Sequence, residues 1–426
     1  MKRPTPASLK KVTSENLAAL GVERLAEILA DAAATRPELK RRLRMELAAE
    51  QGADHLALEI DKRLASLETS RGKVSWRQRP AFVRDLDGLR GLIVGRLAAL
   101  DRAAALNRLW IFMGVARRVS GRMRDKDGSL ADIFERAAQD LGQLLAQIDA
   151  GMAAERLVNA IAQSPSLWAA WLPAVLVQAP SALAEAALRR LSERRGAVVG
   201  WGTLVRQLAD AAGDPGAYQS TFSHQELLDP SVAAEVARRL LSAARVAEAT
   251  ALLEASRPVQ GRNGLWTAGR GMAEELDFEW ETAWIETLER SGRGGEAQAA
   301  RWASFERTLS ASRARDFAKR LADFDDVEAE QRAFVYAAGH GDFDRALRFL
   351  MDWPALGEAA RLILARPDEV KVDAETAERW AAALRGRQPV AALTLLRKAA
   401  AAAFKRRDFA TCDRLSAEAD AIDRGP

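Results

Sequence analysis

Three basic constellations near the front of the chain hold the residues best suited to do chemistry. Arg41, Arg42 and Arg44 lie on one helical stretch; Arg71, Lys73, Arg77 and Arg79 surround Trp76; Arg117, Arg118, Arg122, Arg124 and Lys126 close a later helical run. Guanidinium and ammonium groups at this density bind phosphate or carboxylate, and an indole among them offers a face on which a base can stack. The plainer reading is a solvated face, with the last cluster complementing the negative end of a helix. The candidate contacts to an anionic partner are therefore Arg41, Arg42, Arg44, Lys73, Trp76, Arg77, Arg79, Arg117, Arg118 and Arg122.

Other chemistries find less support. The three histidines, His55, His224 and His340, stand in different segments, and none has a His or Cys at helical ligand spacing, so no metal is expected. Cys412 stands alone, which excludes an internal disulfide, and no His or Asn is placed by sequence to activate it. The nearest approach to a phosphate loop, Gly261-Arg262-Asn263-Gly264 with Gly269-Arg270-Gly271, lacks both the Lys-Ser/Thr ending and a preceding strand. It reads as a connection. Acidic residues gather at Glu274, Glu275, Asp277, Glu279 and Glu281, but Trp280 and Trp284 share a helical face beside them, which describes a packing helix rather than an acid–base pair. No cofactor and no catalytic residue is expected.

These residues must be carried by helices. Of 426 residues, 48% are apolar and 29% charged, with Ala and Leu recurring throughout, so the chain can bury a core and leans to helix. Helices are expected at 14–20, 22–35, from Pro37, and at about 54–69, 80–100, 102–124 and 130–149, with Leu39, Leu43 and Leu47 as the apolar stripe opposite the first arginines. Further on, Ser164-Pro165, Ala179-Pro180, Asp229-Pro230 and Arg257-Pro258 punctuate helical hairpins, and 211–229 is the weakest stretch for helix. The longest apolar run, Leu167–Val177, is too short to cross a bilayer and contains Pro173. With a single cysteine and no apolar segment after the basic start, a reducing, cytoplasmic setting is expected, without membrane. Charge is asymmetric: residues 1–130 hold 26 Lys and Arg against 16 Asp and Glu, and the remainder 37 against 43. A basic front of this kind steers anionic partners.

A repeat marks the back of the chain. Ser242–Ala249, Arg290–Ala297, Gly339–Ala346 and Lys405–Cys412 align as turns entering helices, 48, 49 and 66 residues apart, each with a small residue (Ala249, Ala297, Ala346, Cys412) on the face that would meet a partner helix. The pattern resembles tetratricopeptide-like repeats. Across most of its length the chain is also similar to an uncharacterised alphaproteobacterial family of helical-repeat proteins, through Leu20-Gly21-Val22-Glu23-Arg24-Leu25-Ala26, Lys40-Arg41-Arg42-Leu43-Arg44, Ser75-Trp76-Arg77-Gln78-Arg79 and the 334–350 turn. Its repeats are similar to the helical regions accompanying SWIM-type zinc fingers, whose Cys-x-Cys and Cys-x-His ligands this chain lacks, so zinc does not carry over.

The expectation is an all-α fold, an α-solenoid of tetratricopeptide- or HEAT-like hairpins, with a basic helical module at 1–130, hairpins over 131–220 and repeats over 221–426. Function is expected to be a non-enzymatic scaffold for a partner protein. The alternatives are a nucleic-acid-binding protein using the basic module, and a helical-repeat enzyme acting on nucleic acid. Because the other copies carry Ala at its position, Cys412→Ala should retain function and lose no more than about 1 kcal/mol in chemical denaturation; loss of function in a folded variant would make it a nucleophile.

Overall fold

The computed structural model describes residues 12–194, 198–258, 270–322 and 325–424, the side chains of 270–277 excepted. Helix accounts for 79% of the structure and no strand occurs among the described residues, as expected for an all-α chain. The chain divides into two compact units, Met1–Thr221 and Phe222–Pro426.

The first unit opens with α1 (Ser14–Ala18), α2 (Val22–Thr35), α3 (Pro37–Glu50) and α4 (Ala53–Thr69). Helix α5 (Arg79–Gly91) runs on through a π-helical turn, Leu92–Leu97, to Leu100. The run expected at 102–124 is two helices, α6 (Arg102–Gly114) and α7 (Ala116–Ser120). Then follow α8 (Ser129–Leu145), α9 (Ala150–Gln163), α10 (Pro165–Gln178), α11 (Ser181–Ser192), α12 (Trp201–Ala212) and the short α13 (Pro215–Gln219). Local chemistry sets many of these starts. Asp101, Asp149 and Asp214 each accept a backbone N–H of the first turn, and Pro37, Pro165 and Pro215 occupy first positions where no N–H is needed.

Helices α8, α10 and α12 pack in succession, as do α9 and α11. The α8–α10 approach depends on Gly142, because a Cβ there would lie 2.2 Å from the Val175 carbonyl oxygen. Pro173 inside α10 cannot donate to the Ala169 carbonyl one turn back, and the Gln207 side-chain amide on α12 donates to it instead at 2.8 Å. One apparent helix fault thereby fastens α10 to α12.

The second unit contains α14 (Pro230–Ser242), α15 (Val246–Ala255), α16 (Arg270–Arg290), α17 (Gly294–Thr308) and α18 (Ala311–Ala318). It continues through α19 (Asp325–Ala338), α20 (Phe343–Asp352), α21 (Leu356–Ala365), α22 (Ala374–Leu384), α23 (Pro389–Lys405) and α24 (Phe409–Asp423). All four repeat copies enter helices, α15, α17, α20 and α24. Ala249, Ala297 and Ala346 are fully buried, while Cys412 is half-buried against the core. The turns are capped in two ways. Arg245 and Arg293 pair with Glu248 and Glu296 three residues on, whereas Asp342 and Asp408 accept the N–H groups of Arg345 and Thr411.

The tight α8–α10 contact yields a test. Gly142→Ala should destabilise the protein by about 1–3 kcal/mol, since the methyl meets backbone that cannot rotate away. Gly91→Ala, where an added methyl meets nothing within 4 Å, should instead be neutral or stabilising by up to about 1 kcal/mol in the same melting experiment.

Candidate functional site

The site begins with the loop between α4 and α5. Val74 N–H donates to the Arg122 carbonyl at 2.9 Å, Lys73 Nζ to the Gly121 carbonyl at 3.0 Å, and Arg122 Nε to the Gly72 carbonyl at 2.9 Å. The Arg122 guanidinium also lies over the Phe82 ring, 5.3 Å from its centre. These contacts tie the loop to the end of α7 and bring Arg71 to the same groove as Arg117, Arg118 and Arg122.

That groove has a volume of about 730 Å³. Its floor is aromatic: Trp110 from α6 and Trp168 and Trp171 from α10 lie with ring centres 5.5 Å (Trp110–Trp168) and 5.7 Å (Trp168–Trp171) apart. The Trp110 indole N–H is buried and finds no hydrogen-bond partner. Four arginines line the groove against one carboxylate, Glu68, which approaches Arg118 at 3.9 Å. A low-dielectric aromatic floor below unneutralised guanidinium groups favours a planar anionic ligand.

A second cleft of about 400 Å³ adjoins it through Arg122 and includes Lys73, Arg41 and Asp85. Arg41 and Asp85 also line a third, smaller cleft between α3, α4 and α5. Asp85 accepts from Arg41 at 3.0 Å and from Arg63, so one carboxylate orders two guanidinium groups. The Arg63 guanidinium is held below the ordinary arginine range by burial, with Arg41 and Arg122 adding to the effect and Asp85 opposing it.

Structure separates the residues expected to act together. Arg41 turns inward to Asp85 and Arg42 and Arg44 remain exposed, but their helix does not bury leucine. Met45, Ala48 and Ala49 form the buried face of α3, Leu39 and Leu43 are half-buried and Leu47 is 66% exposed. The leucine-stripe expectation is corrected: small residues let α3 approach its neighbours, and the long side chains flank that contact. Trp76 is 74% exposed, with Arg77 over its ring at 5.1 Å, so it does not pack between helices. Arg79 is half-buried at the start of α5, and its Nε has no partner.

Sequence reasoning missed Arg63 and the tryptophan floor. Trp168 and Trp171 carried a local signal, i,i+3 spacing within an apolar run, but Trp110 joins them only through folding. In the second unit, Trp280 and Trp284 stack at 5.8 Å, as expected of a packing helix. Glu281 is engaged by Arg307 at 2.9 and 2.8 Å and by Ser304, and Glu279 by Arg238. The side chains of Glu274, Glu275 and Asp277, and the glycine-rich stretch 261–269, lie outside the described residues. His55 and His224 are exposed, and His340 accepts the Asp342 N–H at 3.0 Å. Among the described residues no group of three or more His, Cys, Asp or Glu is placed to hold a metal, and no helix is long and apolar enough to cross a membrane.

A family model described as "Family of unknown function (DUF6880)" matches the chain twice, over residues 7–195 and 174–408. The chain belongs to this family. No curated protein matches it. The first match spans every residue of the basic clefts, so the site lies within what the DUF6880 family model describes.

Because the Trp76 indole is largely in solvent, Trp76→Ala should leave stability within about 0.5 kcal/mol of the parent, as for other exposed positions. A drop of several degrees in melting temperature would mean that the indole packs against the helices.

Proposed function

We propose that the first unit binds single-stranded nucleic acid along the tryptophan-floored groove, the helical framework acting as a scaffold that fixes its width. The observation that carries this reading is the meeting of Arg71, Arg117, Arg118 and Arg122 with Trp110, Trp168 and Trp171 in one groove. Arginine neutralises backbone phosphates, and the half-buried Trp110 and Trp171 beside the buried Trp168 give bases an apolar surface that does not depend on sequence. Single strands suit such a groove better than duplex, whose bases are already stacked on each other. Trp76, exposed beside Arg77 on the adjoining loop, extends the same chemistry.

A second reading, a scaffold for a partner protein, is supported by a different surface. Val22, Ile28, Leu29 and Leu47 on α2 and α3 are exposed, apolar side chains of the kind that another protein can cover.

The measurement is binding of labelled single-stranded RNA and DNA at several salt concentrations. The affinity should fall by about 0.7 logarithmic units per phosphate contact for each tenfold rise in salt. Arg71→Ser, Arg117→Ser and Arg118→Ser combined should reduce that slope by about two. Trp76→Ala should weaken binding by roughly 1–3 kcal/mol if its ring stacks on a base. Binding that disappears near physiological salt, with no response to these substitutions, would sink the nucleic-acid reading and leave the partner protein.

A further inference from the structure

We propose that the small cleft between α3, α4 and α5 holds the terminal phosphate of the strand bound in the tryptophan-floored groove. The inference rests on that reading and refines it from any single strand to one with a phosphorylated end. The cleft has a volume of about 220 Å³ and no aromatic ring lines it, so it suits a compact charged group and offers nothing for a base to stack on. Its walls carry five guanidinium groups against two carboxylates, Glu38 and Asp85.

The internal wiring of the cleft leaves most of that charge unanswered. Asp85 is shared by Arg41 and Arg63, and the Arg63 Nε is buried with no partner. Arg36, Arg42 and Arg84 make no ion pair among the described residues. The lowered Arg63 pKa, caused first by burial and then by the neighbouring Arg41 and Arg122 charges, agrees with excess positive potential that an anion would relieve. An internal phosphodiester carries one negative charge. A terminal phosphomonoester carries about −1.5 to −2 at neutral pH and presents three oxygens to arginine forks, so it matches the cleft better.

Continuity places the cleft at the end of the same track. Arg41 and Asp85 belong both to this cleft and to the adjoining one, and Arg122 joins that one to the tryptophan-floored groove. A strand lying in the groove can therefore deliver its end phosphate to Arg41 and Arg63.

The experiment uses the full chain and one oligonucleotide sequence in three forms: 5′-phosphate with 3′-hydroxyl, 5′-hydroxyl with 3′-phosphate, and hydroxyl at both ends. One of the phosphorylated ends should bind about tenfold more tightly than its hydroxyl counterpart. The ratio of the two affinities, rather than either alone, is the readout, because a general loss of positive charge weakens both. In the Arg42→Ser/Arg84→Ser double variant, at exposed positions that leave the Asp85 pairs in place, the ratio should fall below about threefold; Arg63→Gln should do the same, its melting curve showing whether it folds. Equal binding of all three oligonucleotides overturns the inference and leaves the groove reading intact. A preference that survives in the folded variants places the phosphate elsewhere and overturns it too. Absence of binding to any of the three defeats the groove reading itself. Stabilisation of the parent protein by inorganic phosphate in that last case would assign the cleft to a free phosphate and overturn the strand-end assignment.

Discussion

Close approach between helices is the constraint on which this molecule depends. Among the described residues no sheet organises the core, so each helix must present a face narrow enough for its neighbour. Gly142 meets the α10 backbone, Ala48 and Ala49 line the buried face of α3, and Ala249, Ala297 and Ala346 stand fully buried where the repeats turn into helices. Small side chains bring backbones together, and the larger ones at the edges of each contact supply the apolar area that stabilises it. The Pro173 fault obeys the same logic, since the carbonyl it orphans becomes an acceptor for the next helix in the row.

This packing decides how the charges are used. Arginine recurs along the whole chain, and the structure divides it between two tasks. Some arginines close ion pairs across neighbouring helices, as Arg90 does with Asp140 and Arg108 with Asp61. Others keep their charge facing a cleft. The α4–α5 loop is held without ion pairs: Lys73 and Arg122 fasten it to the end of α7 through backbone carbonyls, which leaves their charge uncancelled while shaping the groove. Ion pairs with carboxylates would have held the loop equally well and erased the potential. In the second unit the same residue type is turned inward, where Arg301 and Arg313 are buried among Glu289, Ser304 and Thr282 and serve the fold.

Much of the helical layout was legible before folding because its signals are local. Gly21 ahead of α2, Pro37 at the first position of α3 and apolar recurrence along α2, α3 and α4 marked these helices to within a residue or two, and the repeat turns were visible as aligned octapeptides. The break at Val115 between α6 and α7 was not, since Gly114 stands there alone, with no proline or polar turn cluster beside it. Leu47 shows why the buried face was misjudged: hydropathy alone ranks leucine above alanine, but the neighbours of α3 leave room for alanine and methionine on that side and place leucine outside.

For the site, the sequence by itself determined that the front of the chain is basic and that Arg117, Arg118 and Arg122 cluster near a helix end, because charge and helical spacing are written in neighbouring residues. It also marked Trp76, whose exposure it could not foresee. Tertiary structure alone decided that Trp110 joins Trp168 and Trp171, that Arg71 faces Arg117, and that Arg63 shares Asp85 with Arg41. Those pairs are separated by tens of residues, and no periodicity links positions that meet only when separate helices pack. Composition fixes how much charge and apolar surface a chain carries; the packing of helices fixes which of it is cancelled, which is buried, and which is left facing a groove.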